Sequence, residues 1–209
     1  NIGILESAGK YLCIFGCHTI YPKDYIKNCY NELIKMEADC AGGWAYFEVI
    51  DNSFGAKIVA AIRTHKFGIG SSYRTNLKDR WVDTVAYSIY DKEVFKKVGL
   101  FNTKLIRAQD YEMNKRIVKY GGKIWFSHKI VSHYFDKQSF YGLLKKQLLY
   151  DAPYNIYMFH AAPYTMNIRH SITLFFSLGV IIGLFIINIP ILSTIYFAVL
   201  SLYAILATI

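Results

Sequence analysis

Two carboxylates at the start of an amphipathic segment are the residues best suited to chemistry in this sequence. Asp110 and Glu112 follow Gln109, and apolar residues at helical spacing predict a helix over residues 110–120. A carboxylate in the first helical turn meets unpaired backbone N–H groups and the positive end of the helix dipole, which favour the ionised form that a general base requires. Two structural roles remain open: Asp110 as a helix cap only, and Glu112 as the partner of Arg116 four residues later.

Two other places in the chain carry candidate site residues. Asp83 lies in an apolar, alternating stretch, residues 81–90, that predicts a strand, where an unpaired charge would be costly. It is therefore either a site residue or the structural partner of a nearby Lys or Arg. Gly16 and His18 follow a short predicted strand over residues 11–15, and ligands bind at such strand ends in open α/β sheets. The imidazole of His18 could bind a metal or donate to a phosphate, and a solvated loop side chain is the alternative.

Alternating helices and strands are predicted around these residues, which is typical of an α/β domain. Gly42 and Gly43 interrupt one of the strands and predict a bulge or a close approach of backbone to ligand. Residues 66–76, which contain Gly68, Gly70 and Arg74, have the composition of a mobile active-site flap. The other predicted elements, in chain order, are helix 22–37, strand 39–50, helix 53–64 with Ser53 as its cap, helix 91–98, strands 123–126 and 129–135, and the amphipathic helix 139–150.

Short motifs on both sides of Asp110 occur in a particular order. They are Glu93-Val94-Phe95, Val98-Gly99-Leu100-Phe101, Gln109-Asp110, Glu112, Arg116 and Gly121-Gly122-Lys123. This order resembles the later half of a bacterial family 2 glycosyltransferase, of the membrane-associated kind that builds exopolysaccharides on a lipid carrier. In that family EVF…VGLF precedes Glu-Asp or Gln-Asp, an acidic residue two positions further on, an Arg and a Gly-Gly-Lys run. The similarity extends from about residue 3 to about residue 162.

The resemblance implies a GT-A, Rossmann-like fold, an inverting mechanism, and Asp110 as the base that deprotonates the acceptor hydroxyl. Lys146 and Gln147 resemble a reduced form of a basic, Gln-rich motif that contacts the acceptor and the diphosphate in processive relatives, so we expect them to bind substrate. Packing of their helix against the sheet is the structural alternative. We expect four further residues to line the acceptor site, with Arg107 placed to orient an acceptor phosphate or the base: Asp83, Arg107, Gln109 and Glu112.

The family also implies a divalent ion, Mg²⁺ or Mn²⁺, on the diphosphate of a nucleotide-sugar donor. An Asp-x-Asp or Asp-x-His motif, followed by a T-x-Y-P-x-D-Y run, stands at that position in the family, and residues 19–25 match the run. Gly16 stands where the first Asp is expected, and His18 remains in the last place. We expect both residues near the diphosphate, with His18 as a metal ligand and Gly16 contributing no carboxylate.

The end of the chain predicts a membrane region. Residues 171–209 contain no Asp, Glu, Lys, Arg or His, a run long enough for two transmembrane helices with a break at residues 188–190. Arg169 and His170 precede this run and place that end in the cytoplasm by the positive-inside rule. We therefore predict a partial GT-A catalytic domain over residues 1–165, followed by a transmembrane helical hairpin among the membrane lipids over residues 166–209.

The positive charge of the chain limits the classes of partner that it is expected to bind. The formal charge of +9 lies entirely before the uncharged run and suits an anionic membrane face and phosphate-bearing substrates. Nucleic-acid binding is a rival, because Lys and Arg are interleaved with 18 Tyr and 14 Phe. A membrane region argues against it, and we predict no nucleic-acid partner.

The predicted function is inverting transfer of a sugar from a nucleotide-sugar donor to a lipid-linked or polysaccharide acceptor. The enzyme would act at the cytoplasmic face of a bacterial or archaeal inner membrane. The similarity begins after the βαβ unit with which the family binds the nucleotide, so the chain is expected to be a fragment of a larger enzyme. A non-catalytic, membrane-anchored remnant or partner subunit is the alternative.

Overall fold

The computed structural model describes residues 1–49, 52–65, 78–136 and 139–208. The chain divides into two compact units, Asn1–Thr165 and Met166–Ile209. The flap predicted over residues 66–76, with Arg74, lies outside the described residues. The first unit is a mixed α/β domain, as predicted.

A mixed sheet forms the centre of the first unit. In the described part of the chain its strands run in the order β1-β5-β3-β6-β2, and β4 pairs with β6 as well. Strands β3 and β6 are parallel, and the other pairs are antiparallel. The strands are β1 (Tyr11–Cys13), β2 (Thr19–Ile20), β3 (Cys40–Val49), β4 (Arg80–Val82), β5 (Ala86–Asp91) and β6 (Ile124–Asp136).

The helices begin and end close to the residues that the sequence marks. Ser53 caps its helix by accepting a hydrogen bond from the Ala56 N–H at 3.3 Å, and Gly99, at φ 83°, ends another. The described helices are α1 (Ile2–Glu6), α2 (Tyr25–Lys35), α3 (Phe54–Thr64), α4 (Glu93–Val98), α5 (Gln109–Lys119), α6 (Phe140–Lys146), α7 (Ala152–Ala161), α8 (Ile168–Phe185) and α9 (Pro190–Thr208).

Helices cover both faces of the sheet. On one face α2 buries Cys29 and Leu33 against Ala41, Ile89 and Ile130 of the sheet. On the other face α4 and α5 pack against the sheet, and that cluster is formed by Ile4, Cys40, Val85, Tyr90, Val94, Phe95, Met113, Ile117, Ile124 and Phe126. The architecture is therefore three-layered, with α5 held against the sheet along its apolar side.

Gly43 lies at an irregularity in the central pair of strands. The register between β3 and β6 shifts there, because Gly43 pairs with Ser127 whereas Trp44 pairs with Val131. A Cβ atom at Gly43 would stand 2.0 Å from the Ile130 carbonyl oxygen. The glycine is thus needed for the close approach of two backbones, and the bulge predicted from the sequence is confirmed.

Two strand predictions were wrong. Residues 81–90 do not form one strand, because β4 pairs with β6 whereas β5 pairs with β1 and β3. Asp83 lies between β4 and β5, so its charge is not inside a strand. The two strands predicted over residues 123–126 and 129–135 instead form one long strand, β6, which begins at Ile124 and stays paired on both sides of its irregularity.

The second unit consists of two helices joined near Pro190. Tyr196 donates a hydrogen bond to the Val180 carbonyl at 3.2 Å, and the rings of Phe176 and Tyr203 stack with centroids 4.6 Å apart. Within the described residues one helix, α9, is long and apolar enough to cross a membrane. The apolar part of α8 is shorter, Leu174–Phe185, so the second predicted span remains a prediction.

We predict that Gly43→Ala lowers the free energy of unfolding by at least about 2 kcal/mol, because the new methyl group must displace the Ile130 backbone. Gly3→Ala is the control, since nothing lies within 4 Å of a Cβ at that position. Denaturant unfolding of both purified variants measures the difference. Equal stability of the two variants would show that the β3–β6 irregularity tolerates a side chain.

Candidate active site

Asp110 is exposed in the first turn of α5, where a base was predicted. The residue before the helix, Ala108, has a left-handed backbone with φ 52° and ψ 28°. A non-glycine residue in this region is uncommon and strained. The strained turn directs the chain into α5 and leaves Asp110 among the unpaired N–H groups of the helix N-terminus.

Two cavities meet at Asp110. The first, of about 890 Å³, lies beside the end of β1 and is lined by residues that include Phe15, Gly16, Ser88 and Gln109. The second, of about 490 Å³, lies beside the ends of α3 and α6 and is lined by residues that include Arg63, Thr84, Tyr111, Tyr134 and Lys146. The residues common to both walls are Tyr87, Ala108 and Asp110. A carboxylate placed in this way can reach one molecule in each cavity.

Tyr87 forms part of the wall between the two cavities. Its backbone is also left-handed, with φ 50°. The Tyr25 hydroxyl donates to the Tyr87 carbonyl at 2.6 Å, and the Tyr21 ring contacts the Tyr87 ring edge-on at 5.7 Å. Two of the three described non-glycine residues with positive φ thus lie on both cavity walls, and strain of this kind concentrates at functional sites.

The buried side of α5 is fixed by hydrogen bonds. Asn114 is fully buried, accepts from the Tyr90 hydroxyl at 3.0 Å, and donates to the Val85 carbonyl at 2.9 Å and to the Thr84 hydroxyl at 3.1 Å. Burial raises the pKa of Tyr90 well above its ordinary value, and the neighbouring Cys40 and Asp110 side chains add to this effect. Tyr90 therefore stays protonated and keeps its bond to the helix.

Glu112 faces the protein interior. Its side chain is 1% exposed, and Arg116 reaches it with Nε 3.0 Å from Oε1 and Nη2 3.1 Å from Oε2. The Tyr164 hydroxyl donates to the same carboxylate, and burial together with this bond raises the pKa of Tyr164 to about 12. The pairing of Glu112 with Arg116 is therefore the role that the structure shows. Glu112 lines neither cavity, and its expected contact with the acceptor has no geometric basis.

Asp83 and Arg107 are also held in ion pairs and line neither cavity. Lys115, which is 8% exposed, donates to Asp83, so the structural alternative proposed for Asp83 is the one observed. Nη1 of Arg107 lies 3.2 Å from Oδ1 of Asp151, and the Arg107 guanidinium is 5.0 Å from the centre of the Tyr150 ring. The structure therefore shows structural pairing for both residues, and their expected contacts with the acceptor stay predictions.

Gln109 and Lys146 do reach the cavities. Gln109 lines the first cavity, and its amide donates to the Leu105 carbonyl. Lys146 is the last residue of α6 and lines the second cavity. Gln147 begins the π-helical segment Gln147–Asp151, is exposed, and lines neither. One of the two residues in the predicted basic motif is thus in a position to meet a substrate.

Of the two residues expected near the diphosphate, one lines a cavity and the other does not. Gly16 lines the first cavity, where its N–H donates to the Tyr21 hydroxyl at 2.9 Å, and a Cβ there would stand 2.9 Å from Cε1 of Tyr87. His18 is exposed outside both cavities, and its carbonyl accepts from the Phe135 N–H at 3.0 Å. Among the described residues no three His, Cys, Asp or Glu side chains converge on a metal position. The expected Mg²⁺ or Mn²⁺ ion stays a prediction.

Comparison with known proteins identifies relatives of the chain, although no protein-family model matches it. It is 31% identical to the dolichyl N-acetyl-alpha-D-glucosaminyl phosphate 3-beta-D-2,3-diacetamido-2,3-dideoxy-beta-D-glucuronosyltransferase of Methanococcus voltae over 156 residues, 73% of this chain and 49% of the relative. It is 25% identical to the succinoglycan biosynthesis protein ExoA of Rhizobium meliloti (strain 1021) over 134 residues, 64% of this chain and 40% of ExoA. The homologues of this chain are glycosyltransferases.

The predicted resemblance to glycosyltransferases of exopolysaccharide biosynthesis is thereby confirmed. The chain spans about half the length of the curated relatives it matches.

Sequence reasoning missed Arg63, which lies in the last turn of α3 and lines the second cavity. The helix was predicted correctly, but no motif in the sequence singles out an arginine at its end.

We predict that Tyr164→Phe lowers the free energy of unfolding by about 1 kcal/mol, because buried Glu112 loses a hydrogen bond. Tyr164 has a raised pKa, so this contribution is fully present below the ordinary tyrosine value of 10.0 and is lost as the pH rises through about 12. Unfolding at several pH values, with exposed Tyr141→Phe as the control, measures it. A Tyr164→Phe variant as stable as the control at neutral pH would contradict the assignment.

Proposed function

We propose that this chain carries the acceptor-side catalytic part of an inverting glycosyltransferase. The enzyme transfers a sugar from a nucleotide-sugar donor to a lipid-linked saccharide acceptor at the cytoplasmic face of a membrane. The observation that supports this most directly is the position of Asp110, at a helix N-terminus and on the walls of two cavities. The name of the Methanococcus voltae relative, which specifies a sugar transferred to a dolichyl-linked sugar phosphate, supports the same reaction class.

In the proposed reaction Asp110 removes the proton from an acceptor hydroxyl while the hydroxyl oxygen attacks the anomeric carbon of the donor. The bond between that carbon and the diphosphate oxygen breaks, and the nucleoside diphosphate leaves with the electron pair. A single displacement from the opposite side inverts the configuration at the carbon. The reaction needs a base between two substrates, and a carboxylate shared by two cavities meets this need.

The two cavities suggest which substrate lies where. The first is the larger and lies beside Gly16, at the strand end where related enzymes hold the donor diphosphate, so we assign it to the donor. The second contains Arg63 and Lys146, and we assign it to the acceptor. The hydrogen bonds of Asn114 and the ion pair of Glu112 hold α5 so that Asp110 keeps its position between them.

The non-catalytic alternative also has an observation in its favour. Gly16 offers no carboxylate, and the ring of Tyr87 occupies the space into which a side chain at this position would extend. A remnant or partner subunit would keep the fold and the membrane helix without turning over a donor. Nucleotide release with a panel of sugar nucleotides, in the presence and absence of Mn²⁺ and membrane extract, separates the two functions.

We predict that Asp110→Asn, made in the full-length gene product, lowers the turnover rate by about 10² to 10⁴-fold. The amide keeps the shape of the carboxylate but does not accept the proton, so the donor dissociation constant should change by less than about twofold. Sugar transfer and donor titration calorimetry measure the two quantities. The control is Asp24→Asn, an exposed carboxylate outside both cavities. A variant that retains most of its turnover would remove Asp110 from the mechanism.

We predict that Thr165 and a reporter fused after residue 209 both face the cytoplasm, because two spans return the chain to its starting side. Reporter fusions at both positions measure this. If α9 alone crosses the membrane, the two reporters will lie on opposite sides. A reporter on the outer side near Thr165 would overturn the cytoplasmic assignment, and with it the use of a cytoplasmic nucleotide sugar.

A further inference from the structure

We propose that residues 140–161 lie on the membrane surface, with their apolar side in the headgroup region of a bilayer that contains anionic phospholipids. This stretch, which we call the interfacial segment, comprises α6, the π-helical segment Gln147–Asp151 and α7. It would be a second contact with lipid, separate from the uncharged run that begins at residue 171. The inference concerns the attachment of the first unit to lipid and does not depend on the proposed function.

Large apolar side chains of the interfacial segment are exposed. Five of them are between 58% and 72% exposed: Tyr141, Leu148, Leu149, Ile156 and Phe159. Single exposed apolar residues are ordinary on a protein surface, but a group of large ones along one helical stretch marks a contact with lipid or with another protein.

The exposed apolar residues lie on the side of the segment that faces away from the domain. In α6, Tyr141 and Leu144 are three positions apart and share one face, whereas Leu143 between them is buried. In α7, Met158 is buried, and Ile156 lies about 160° from it around the helix axis. The segment therefore packs on the domain by one side and presents a broad apolar side outward.

A bilayer surface is the partner that the chain itself brings near. α7 ends at Ala161, and the uncharged run that contains α9 begins ten residues later, at residue 171. Ten residues span at most about 35 Å even when fully extended, so the end of α7 stays within that distance of the run. The segment also contains four tyrosines, a residue type enriched at membrane interfaces because its ring is apolar and its hydroxyl is polar.

The charges of the interfacial segment favour anionic lipid. It contains one acid, Asp151, whose Oδ1 lies 3.2 Å from Nη1 of Arg107. Lys145 is exposed directly after Leu144 of the apolar side, and Lys104 is exposed in the loop that contacts α7. Cations at the border of an apolar helix face attract anionic headgroups. A second copy docked through the same face would bring like charges together, which disfavours that partner.

Hydrogen bonds hold the interfacial segment to the loop that leads into α5. The Tyr154 hydroxyl accepts from the Arg107 N–H at 3.2 Å, and the Tyr157 hydroxyl donates to the Lys104 carbonyl at 3.4 Å. These bonds fix α7 on the domain, so its apolar side keeps one direction. They also place the chain that precedes Asp110 against the helix that we assign to the membrane surface.

Lipid photo-cross-linking of the full-length gene product in vesicles tests the proposal. The vesicles contain phosphatidylcholine with or without about 30% phosphatidylglycerol, and a trace of phospholipid with a diazirine near the headgroup or at the end of an acyl chain. Trypsin cuts after Lys146 and Arg169, so mass spectrometry identifies peptide 147–169 separately from the uncharged run. The shallow diazirine should label this peptide at least about threefold more than the deep one, which should label the uncharged run.

Substitution of exposed apolar residues tests the contact directly. Leu149→Asn and Ile156→Asn should each lower shallow labelling of peptide 147–169 by about twofold or more, because each removes apolar surface from the interface. Ile34→Asn, at an exposed apolar position of α2, is the control and should leave the labelling unchanged. Circular dichroism of the variants, with deep labelling of the uncharged run as the reference for insertion, shows that a loss of labelling is not a loss of fold.

The preference for anionic lipid has its own variant. Phosphatidylglycerol should raise shallow labelling of peptide 147–169 by about twofold or more, and Lys145→Gln should reduce this increase. Lys27→Gln removes an exposed cation of α2 instead and should keep the full increase.

Four outcomes would overturn the proposal. Absence of shallow labelling of peptide 147–169, while the deep diazirine labels the uncharged run, would show that the segment lies away from the bilayer. Equal labelling by both diazirines would show that the segment is inserted as a span. Equal labelling with and without phosphatidylglycerol would remove the anionic lipid. Cross-links between two protein chains through this peptide, in place of cross-links to lipid, would assign the apolar side to a protein partner.

Discussion

The candidate site depends on one constraint, the fixed orientation of α5 about its own axis. Glu112 is buried, and without Arg116 and Tyr164 its charge would cost several kcal/mol. These partners, together with the hydrogen bonds of Asn114, allow the helix one orientation against the sheet. Residues two apart in a helix are separated by about 200° around its axis, so burial of Glu112 turns Asp110 toward solvent. Asp110 is therefore exposed because Glu112 is buried.

The same geometry explains which parts of the site could be predicted from the sequence. The spacing of residues 110–120 was sufficient for the helix and for the place of Asp110 at its start. It was not sufficient to show that Glu112 points inward, because α5 carries polar residues on its buried side as well. Asp83 and Arg107 find partners 32 and 44 residues away in the chain, contacts that a local pattern does not contain. A local pattern therefore does not distinguish a charged residue held in an ion pair from one that meets a substrate.

Arg63 shows the opposite error. Its helix, including the Ser53 cap, was predicted correctly from local signals. Its place on the wall of the second cavity depends on how α3 packs, with its guanidinium over the ring of Phe47 in β3. The left-handed residues Tyr87 and Ala108 were missed for a related reason, since local preferences disfavour such backbones and only the surrounding packing enforces them. The helices follow from local sequence here, whereas the strand boundaries and the cavities follow from how the elements pack.

The two cavities differ in the chemistry that their described walls offer. The first presents backbone, hydroxyl and aromatic groups, with Asp110 as the one charged side chain on its wall. The second presents two cations to the same carboxylate. Tyr87 forms part of the wall between them, and its ring occupies the space that a side chain at Gly16 would need. The walls on the two sides of Asp110 therefore differ in charge, and the exposed carboxylate lies where the two environments meet.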